Sequence, residues 1–429
     1  MKPQKTGIPH KIWQIRVTGG ALYYAVFFML FLSMFSLSLL LFFELSFRED
    51  AYFIKKTELD DNIASAAAIV SCYPERVPIG SVTGIDVFED ETAIVAVTSE
   101  RWGLLRKMTF ENTWRSIRNR KIVLMAEKEK VRPALWMPDN MRYASLVGNS
   151  SIRGDCYISG MGLRTGNIEG RYFEGSVLNE GEIYVSEPEM PAFNNELFSY
   201  FTQYFKGYIP SSDSLVNSNI LKREKDLKHY FTEKTLLIQP SGKLLLDEGS
   251  LSGNIIICSG DTIEIFPSIR LDNVILMGKI IILHEGVNGK FQAFASKSIE
   301  VRKNCRLEYP SFLGVLDIEP GIELSIDENC IINGGVLCHS NAQDEEAAVL
   351  SIGKGSIIYG KAYVNGDLYL SGDIAGSLYC NRFAYKTFRA FYENFILDCT
   401  IDSEKLPKDY ASFTFTDDVD KLREIQICL

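Results

Sequence analysis

Pairs of carboxylates are the side chains in this sequence whose type and spacing could support catalysis. Asp261 precedes Glu264, Asp317 precedes Glu319, and three acids occupy positions 344–346. Two carboxylates on one face of a β-rich protein are what glycoside hydrolysis requires, one as the acid and the other as base or nucleophile. No feature of the sequence favours one pair over the others. All of these acids can equally be explained as residues of solvent-exposed turns without a catalytic role. We therefore predict no catalytic residue, and a polysaccharide-active protein stays open as an alternative.

Motifs for metals, nucleotides and activated nucleophiles are absent from the sequence. It contains no G-x-x-x-x-G-K-[ST], H-E-x-x-H or G-x-S-x-G segment. His284 and His339 could stand on neighbouring coils, but no third metal ligand follows at a suitable spacing. The nine cysteines form no C-x-x-C pair, and several stand in strand-like runs where buried free thiols are expected. The chain is therefore predicted to bind no metal and no cofactor.

A basic segment with interleaved tryptophans, residues 101–121, is the first candidate binding surface. It contains one acid, Glu111, between Trp102 and Trp114. In a protein of net charge −10, such a cluster is a candidate binding site for an anionic lipid surface or an acidic protein. The alternative is a solvated strand face whose tryptophans belong to the core. The predicted contact residues are Arg101, Arg106, Lys107, Arg115, Arg118, Arg120 and Lys121.

An aromatic segment that follows is the second candidate surface. Its large side chains recur at helical i, i+4 and i+7 spacing, which predicts an amphipathic helix. Such a helix either packs on the rest of the chain or offers a docking stripe to a partner. The acidic net charge argues against nucleic acid as that partner. The stripe consists of Phe198, Phe201, Tyr204, Phe205 and Tyr208.

An N-terminal membrane helix would fix these surfaces in place. Residues Ala21 to Phe43 carry no charge and are numerous enough to cross a bilayer. Residues 1–20 are basic and contain no acid, which predicts a cytoplasmic leader and an extracytoplasmic C-terminal part. The stretch is longer than a secretory signal and ends in bulky residues, so we expect a retained anchor. Cleavage after Gly20 stays open, and residues 44–72 are predicted to continue as an amphipathic helix.

The remaining chain is predicted to be mainly β. The segment SIIYGKAYVNGDLYLSGDIAG, Ser356 to Gly376, has glycine at positions 360, 366 and 372. An apolar residue stands two positions before each of these glycines. Short strands of this kind, repeating at about twenty residues without intervening helices, are typical of a parallel β-solenoid. The glycines would then have a structural role, at the corners of the solenoid coils, rather than a role in binding a ligand. The predicted divisions are a β-rich or α+β head (73–149), first coils (150–187), a helical excursion (188–235), the solenoid (236–380) and a C-terminal cap (381–429).

Two resemblances to known families rest on these segments. The run IGKGSIIYGKAYVNGDLYLSGDIAGSLYC resembles the bactofilin type of polymer-forming β-helix, although the membrane span and the excursion depart from that pattern. A basic leader ending in Gly20, an apolar helix and a β-rich head resemble the layout of type IV prepilins and pseudopilins. This chain has Ala25 where that family normally has Glu. The combination also resembles uncharacterised single-pass bacterial envelope proteins.

The features together predict a non-enzymatic structural or assembly protein of the bacterial cell envelope. It would be anchored in the inner membrane with its C-terminal part in the periplasm. Its solenoid would serve as a scaffold or docking surface for envelope proteins or for a second copy of the chain. A pseudopilin-like component of a pilus or secretion apparatus is the first alternative. A polysaccharide-binding or polysaccharide-active β-helix protein is the second.

Overall fold

A computed structural model describes residues 19–90, 93–210, 213–317, 321–341, 348–416 and 419–428. One long helix is followed by a chain that is mainly β, as predicted. Nearly all of the predicted leader lies outside the described residues, as do Glu319 and the acids at 344–346. The helices are α1 (Gly19–Cys72), α2 (Asn195–Phe205) and α3 (Asn219–Arg223).

The strands, in chain order, are β1 (Val82–Asp86), β2 (Ile94–Trp102), β3 (Leu105–Trp114), β4 (Ile117–Glu129), β5 (Leu135–Trp136), β6 (Ala144–Val147), β7 (Ser151–Arg153), β8 (Cys156–Ile158), β9 (Leu163–Thr165), β10 (Asn167–Ile168), β11 (Arg171–Tyr172), β12 (Ile183–Val185), β13 (Ser214–Asn217), β14 (Asp226–His229), β15 (Leu236–Gln239), β16 (Leu244–Leu246), β17 (Ser250–Cys258), β18 (Thr262–Ile265), β19 (Arg270–Leu283), β20 (Asn288–Val301), β21 (Arg306–Asp317), β22 (Ile322–Ile326), β23 (Ile331–Ser340), β24 (Ala348–Ile352), β25 (Ile357–Leu370), β26 (Asp373–Lys386), β27 (Phe391–Glu393), β28 (Phe395–Leu397), β29 (Thr400–Asp402) and β30 (Val419–Cys428).

Helix α1 is continuous, so the apolar stretch and the predicted amphipathic helix are one element. Its apolar half is exposed within the chain and is long and apolar enough to cross a membrane. Towards its C-terminal end the helix buries Ile63, Ala66 and Val70 against the head. The first buried residue, Leu59, stands about 24 Å beyond Phe43 at the helical rise of 1.5 Å per residue. The helix therefore separates the apolar stretch from the head by a solvated spacer.

The head is an antiparallel sheet with the strand order β1-β2-β3-β4-β30. Val95, Val97 and Phe110 are buried with the end of α1 in one hydrophobic cluster. The fifth strand comes from the C-terminus and pairs with β4. The predicted cap over 381–429 is therefore wrong for this strand, because Leu422 completes the head core instead of closing a solenoid.

Most other strands form one large sheet in which the pairing is predominantly parallel. Its long strands pair in parallel as β17–β19, β19–β20, β20–β21, β21–β23, β23–β25 and β25–β26. Equivalent side chains therefore stack in columns that run across the strands. One fully buried inward column consists of Ile257, Leu276, Ala293, Leu313, Val336 and Ala362.

The order of strands in space differs from their order in the chain. Leu378 of β26 pairs with Leu135, Leu135 pairs with Cys156, and Cys156 pairs with Ile183. The predicted first coils are thus the last ones of the stack. The predicted excursion also contributes strands, since β13 pairs with β15 and β14 with β17 at the opposite end. Sequence order misplaced these segments because parallel pairing joins residues that are far apart in the chain.

Glycine in the segment 356–376 has a structural role, as predicted. A Cβ on Gly366 would lie 1.9 Å from the carbonyl oxygen of Ala348, and a Cβ on Gly376 would lie 1.8 Å from that of Gly360. Gly376 also has a φ of +150°. These glycines allow the backbone of one strand to approach the preceding one, which a larger residue would prevent.

Candidate functional site

A buried ion pair between β3 and β4 of the head is hydrogen-bonded to the C-terminal segment that packs on the parallel sheet. Nε of Arg106 donates to Oε1 of Glu127 at 2.6 Å, and both side chains are almost fully buried. The hydroxyl and the amide of Thr414 donate to the other carboxylate oxygen. Burial disfavours the charged carboxylate, but Arg106 and Arg101 outweigh it and hold the pKa of Glu127 below its usual value. The carboxylate is therefore ionised and fully engaged.

A second buried contact lies next to the first. Nζ of Lys361 on β25 forms an ion pair with Glu129 of β4 and donates to the carbonyl of Phe413 at 2.7 Å. The ammonium also lies 5.2 Å from the ring centre of Phe415. Burial lowers the pKa of Lys361, and Glu129 opposes that shift. A lysine and a carboxylate from different sheets thus hold the head in one position on the parallel sheet.

A cleft of about 630 Å³ opens beside these ion pairs. It is lined by the cations Lys128, Arg132 and Lys408, by the acids Glu129 and Glu404, and by Ser377. Ser377 is buried, and its hydroxyl has no hydrogen-bond partner among the residues that the structure describes. Charges of both signs and an unpaired hydroxyl suit a polar ligand better than an apolar one. The glycan expectation can attach to this cleft.

The predicted basic residues do not form one free surface. Arg101 and Arg106 lie beside the buried Glu127, and Lys107 pairs with Glu100 at 2.6 Å. Glu111 accepts from two further members of the group, Arg118 and Arg120, at 2.9 Å each. Lys121 pairs with Glu424 of β30 at 3.3 Å. Fewer of these basic residues are unpaired than the sequence suggested. Glu127 and Glu424 lie outside the segment, and strand pairing brings them next to its basic side chains.

The exposed remainder of the basic segment is the hairpin between β3 and β4. The guanidinium of Arg115 lies 4.6 Å from the ring centre of Trp114, and Nζ of Lys55 lies 5.5 Å from the same ring. Lys55 follows Phe43 by about 18 Å of helix. The Debye length at physiological salt, about 8 Å, is less than half of that separation.

The aromatic stripe faces the parallel sheet instead of solvent. Phe201 is fully buried, and its ring centre lies 4.1 Å from that of Phe294. Phe198 and Tyr204 are also buried, Phe205 packs against the same cluster, and Tyr208 alone of the five is largely exposed. The docking stripe is therefore wrong as an external surface. The helix α2 covers the outer columns of β19–β21, which is the alternative that the spacing also allowed.

The candidate histidines and carboxylates that the structure describes do not come together in one site. Glu264 pairs with Lys243 at 2.7 Å and with Nε2 of His284 at 3.1 Å, and these contacts lower its pKa. The ring of His339 is buried, stacks on Phe193 at 4.0 Å, and has its pKa lowered to about 4 by burial. Asp261 accepts from the amide of Thr262 in a turn. Among the described residues, no group of three potential metal ligands comes together.

The two ends of the parallel sheet differ, which the sequence did not predict. Helix α3 packs Ile220 and Leu221 against the interior at one end. At the other end, β12 pairs with β8 alone among the described strands. There Ile183 is 47% exposed and Val185 is 68% exposed, although they continue inward columns that are buried elsewhere. This end presents an unpaired strand edge with apolar side chains.

No family model, no curated protein and no solved structure matches this chain. The candidate surfaces are therefore assigned from their own geometry.

Proposed function

We propose that this protein is a single-pass membrane-anchored scaffold of the bacterial cell envelope, with its parallel sheet forming a β-solenoid outside the cytoplasm. The observation that carries the proposal is the division of α1 into an exposed apolar half and an end packed on the head. Exposed apolar residues over a length sufficient to span a bilayer are stable in lipid and costly in water. The resemblance to single-pass envelope proteins points the same way.

Rigidity supports a scaffold over a mobile carrier. The head and the parallel sheet are joined by the buried pair Lys361–Glu129. Because separating this pair would leave a charge without its buried partner, the contact resists relative movement of the two parts. The spacer of α1 then sets the distance of the scaffold from the membrane.

The open end at β12 is the surface at which the scaffold would contact an envelope protein. Its apolar strand is flanked by the exposed acids Glu180, Glu182 and Glu187. Two copies of such a strand would repel each other, so an extended partner segment with basic flanks fits better. A photo-crosslinking residue at Val185 should give an adduct that disappears after Glu182→Lys and Glu187→Lys. An adduct that survives the charge reversal would contradict this assignment.

The helix and head also favour the pseudopilin-like alternative. A helix with an exposed apolar half and an end packed on an antiparallel sheet is the layout that this resemblance implies. N-terminal sequencing with intact mass, on protein extracted from its native membrane, separates the two proposals. A chain that begins at Met1 supports the fixed anchor. A chain that begins at Ala21 supports processing of the prepilin type and favours the pseudopilin-like alternative over the fixed scaffold.

A further inference from the structure

Cys305 and Cys330 are neighbours in the interior of the parallel sheet. Each immediately precedes a long strand, and the first residues of those strands, Arg306 and Ile331, are paired in register. The amide of Ile331 donates to the carbonyl of Cys305 at 2.9 Å. The Cys305 thiol donates to the carbonyl of His284 at 3.3 Å, and the Cys330 thiol donates to that of Arg302 at 3.1 Å. Both residues are fully buried in the same interior, so the two cysteines are stacked at the starts of adjacent strands.

This arrangement meets the backbone requirement for a disulfide. Adjacent strands lie about 4.8 Å apart, and disulfides join Cα atoms separated by about 4.4–6.8 Å. The neighbouring Cys305 lowers the pKa of Cys330, whereas the pKa of Cys305 is raised, so Cys330 is the better nucleophile of the two.

Another pair of cysteines provides an internal comparison. Cys338 pairs in register with Val364, and Val364 pairs with Cys380. These two cysteines share a column but are separated by two strand spacings, about 9.6 Å. Since this distance exceeds the range that a disulfide can span, Cys338 and Cys380 should remain thiols.

We propose that Cys305 and Cys330 form a disulfide that links adjacent strands when the protein folds in an oxidising compartment. The Cys330 thiolate attacks one sulfur of a disulfide R–S–S–R and releases R–S⁻. The Cys305 thiolate then attacks the sulfur of Cys330 in the mixed disulfide and releases the second R–S⁻. Two cysteine thiols are oxidised, and R–S–S–R takes up their two electrons and two protons as two R–SH. Formation in the cell rests on the proposed envelope location, whereas the pairing geometry does not.

Thiol counting tests the pairing on the full chain. The protein is unfolded, refolded in detergent with oxidised glutathione, denatured again and assayed for free thiols, while intact mass distinguishes a disulfide from a glutathione adduct. Wild-type protein should have seven thiols, two fewer than its nine cysteines. Cys338→Ser should have six, since the pair still forms. Cys330→Ser should form no internal disulfide; an internal disulfide in that variant, or none in wild type, would overturn the proposal.

A second sample needs no refolding. Protein extracted from its native membrane in the presence of an alkylating reagent should already contain the Cys305–Cys330 disulfide, detected by non-reducing peptide mapping. If the pair forms on oxidative refolding but is fully alkylated in the native extract, the pairing stands and the oxidising location fails. A native disulfide between any other two cysteines would overturn the pairing.

Discussion

Removing the charge of Glu127 should destabilise the protein far more than removing that of Glu111. Glu127→Gln retains the size of the side chain but leaves Arg106 buried without its carboxylate. The side chains of Arg106 and Glu127 are 10% and 3% exposed, whereas those of Arg118 and Glu111 are 68% and 27% exposed. Breaking a buried pair from one side costs about 3–5 kcal/mol, and an exposed pair is worth about 0–1 kcal/mol. We expect the two variants to differ by roughly 3 kcal/mol.

The assay is denaturant unfolding of the full chain in detergent micelles at neutral pH. The fluorescence of the buried Trp102 and Trp136, near the junction of the head and the parallel sheet, follows the transition. Glu111→Gln is the matched control because it removes the same group from an exposed pair. Equal losses of unfolding free energy in the two variants would refute the argument from desolvation.

The same pair gives the pH dependence a definite sign. The pKa of Glu127 is lower in the folded protein than its ordinary value of 4.5. Its contribution is therefore fully present above about pH 4.5 and is lost as the pH falls through the folded pKa. The unfolding free energy of wild type should decrease more steeply below pH 4.5 than that of Glu127→Gln. Parallel pH profiles would exclude Glu127 as the group responsible.

Three further changes test the helix α2, the glycine framework and the anchor. Phe201→Ala should cost about 3–5 kcal/mol in denaturant unfolding because it empties a core position, whereas the exposed Tyr208→Ala should change stability by less than about 0.5 kcal/mol. Similar unfolding midpoints would contradict the inward orientation of the stripe. Gly366→Ala should reduce the yield of folded protein, measured by circular dichroism, because its Cβ meets the neighbouring backbone, while Gly260→Ala has open space and should fold normally. Leu32→Asp should reduce the carbonate-resistant membrane fraction, since a central charge costs about 2.5–3.5 kcal/mol; an unchanged fraction would contradict anchoring by α1.

The sequence alone determined the features that depend on neighbouring residues. The uncharged stretch from Ala21 to Phe43 predicted a helix long enough to span a membrane, since hydropathy over one segment suffices. Alternating apolar residues predicted a mainly β chain. The glycines around Gly366 indicated close backbone approach, which the contact with the carbonyl of Ala348 explains.

Only the tertiary structure decided the features that depend on long-range pairing. The strand β30 joins the head because its edge meets β4, about 290 residues away in the chain. Glu127 and Glu424 neutralise residues of the basic segment from outside it. The stacking of Cys305 beside Cys330 likewise depends on the register of β21 and β23, not on the spacing of the cysteines alone. Local patterns specify which face of a strand is apolar, but the sheet edge that it joins is set by packing of the whole chain.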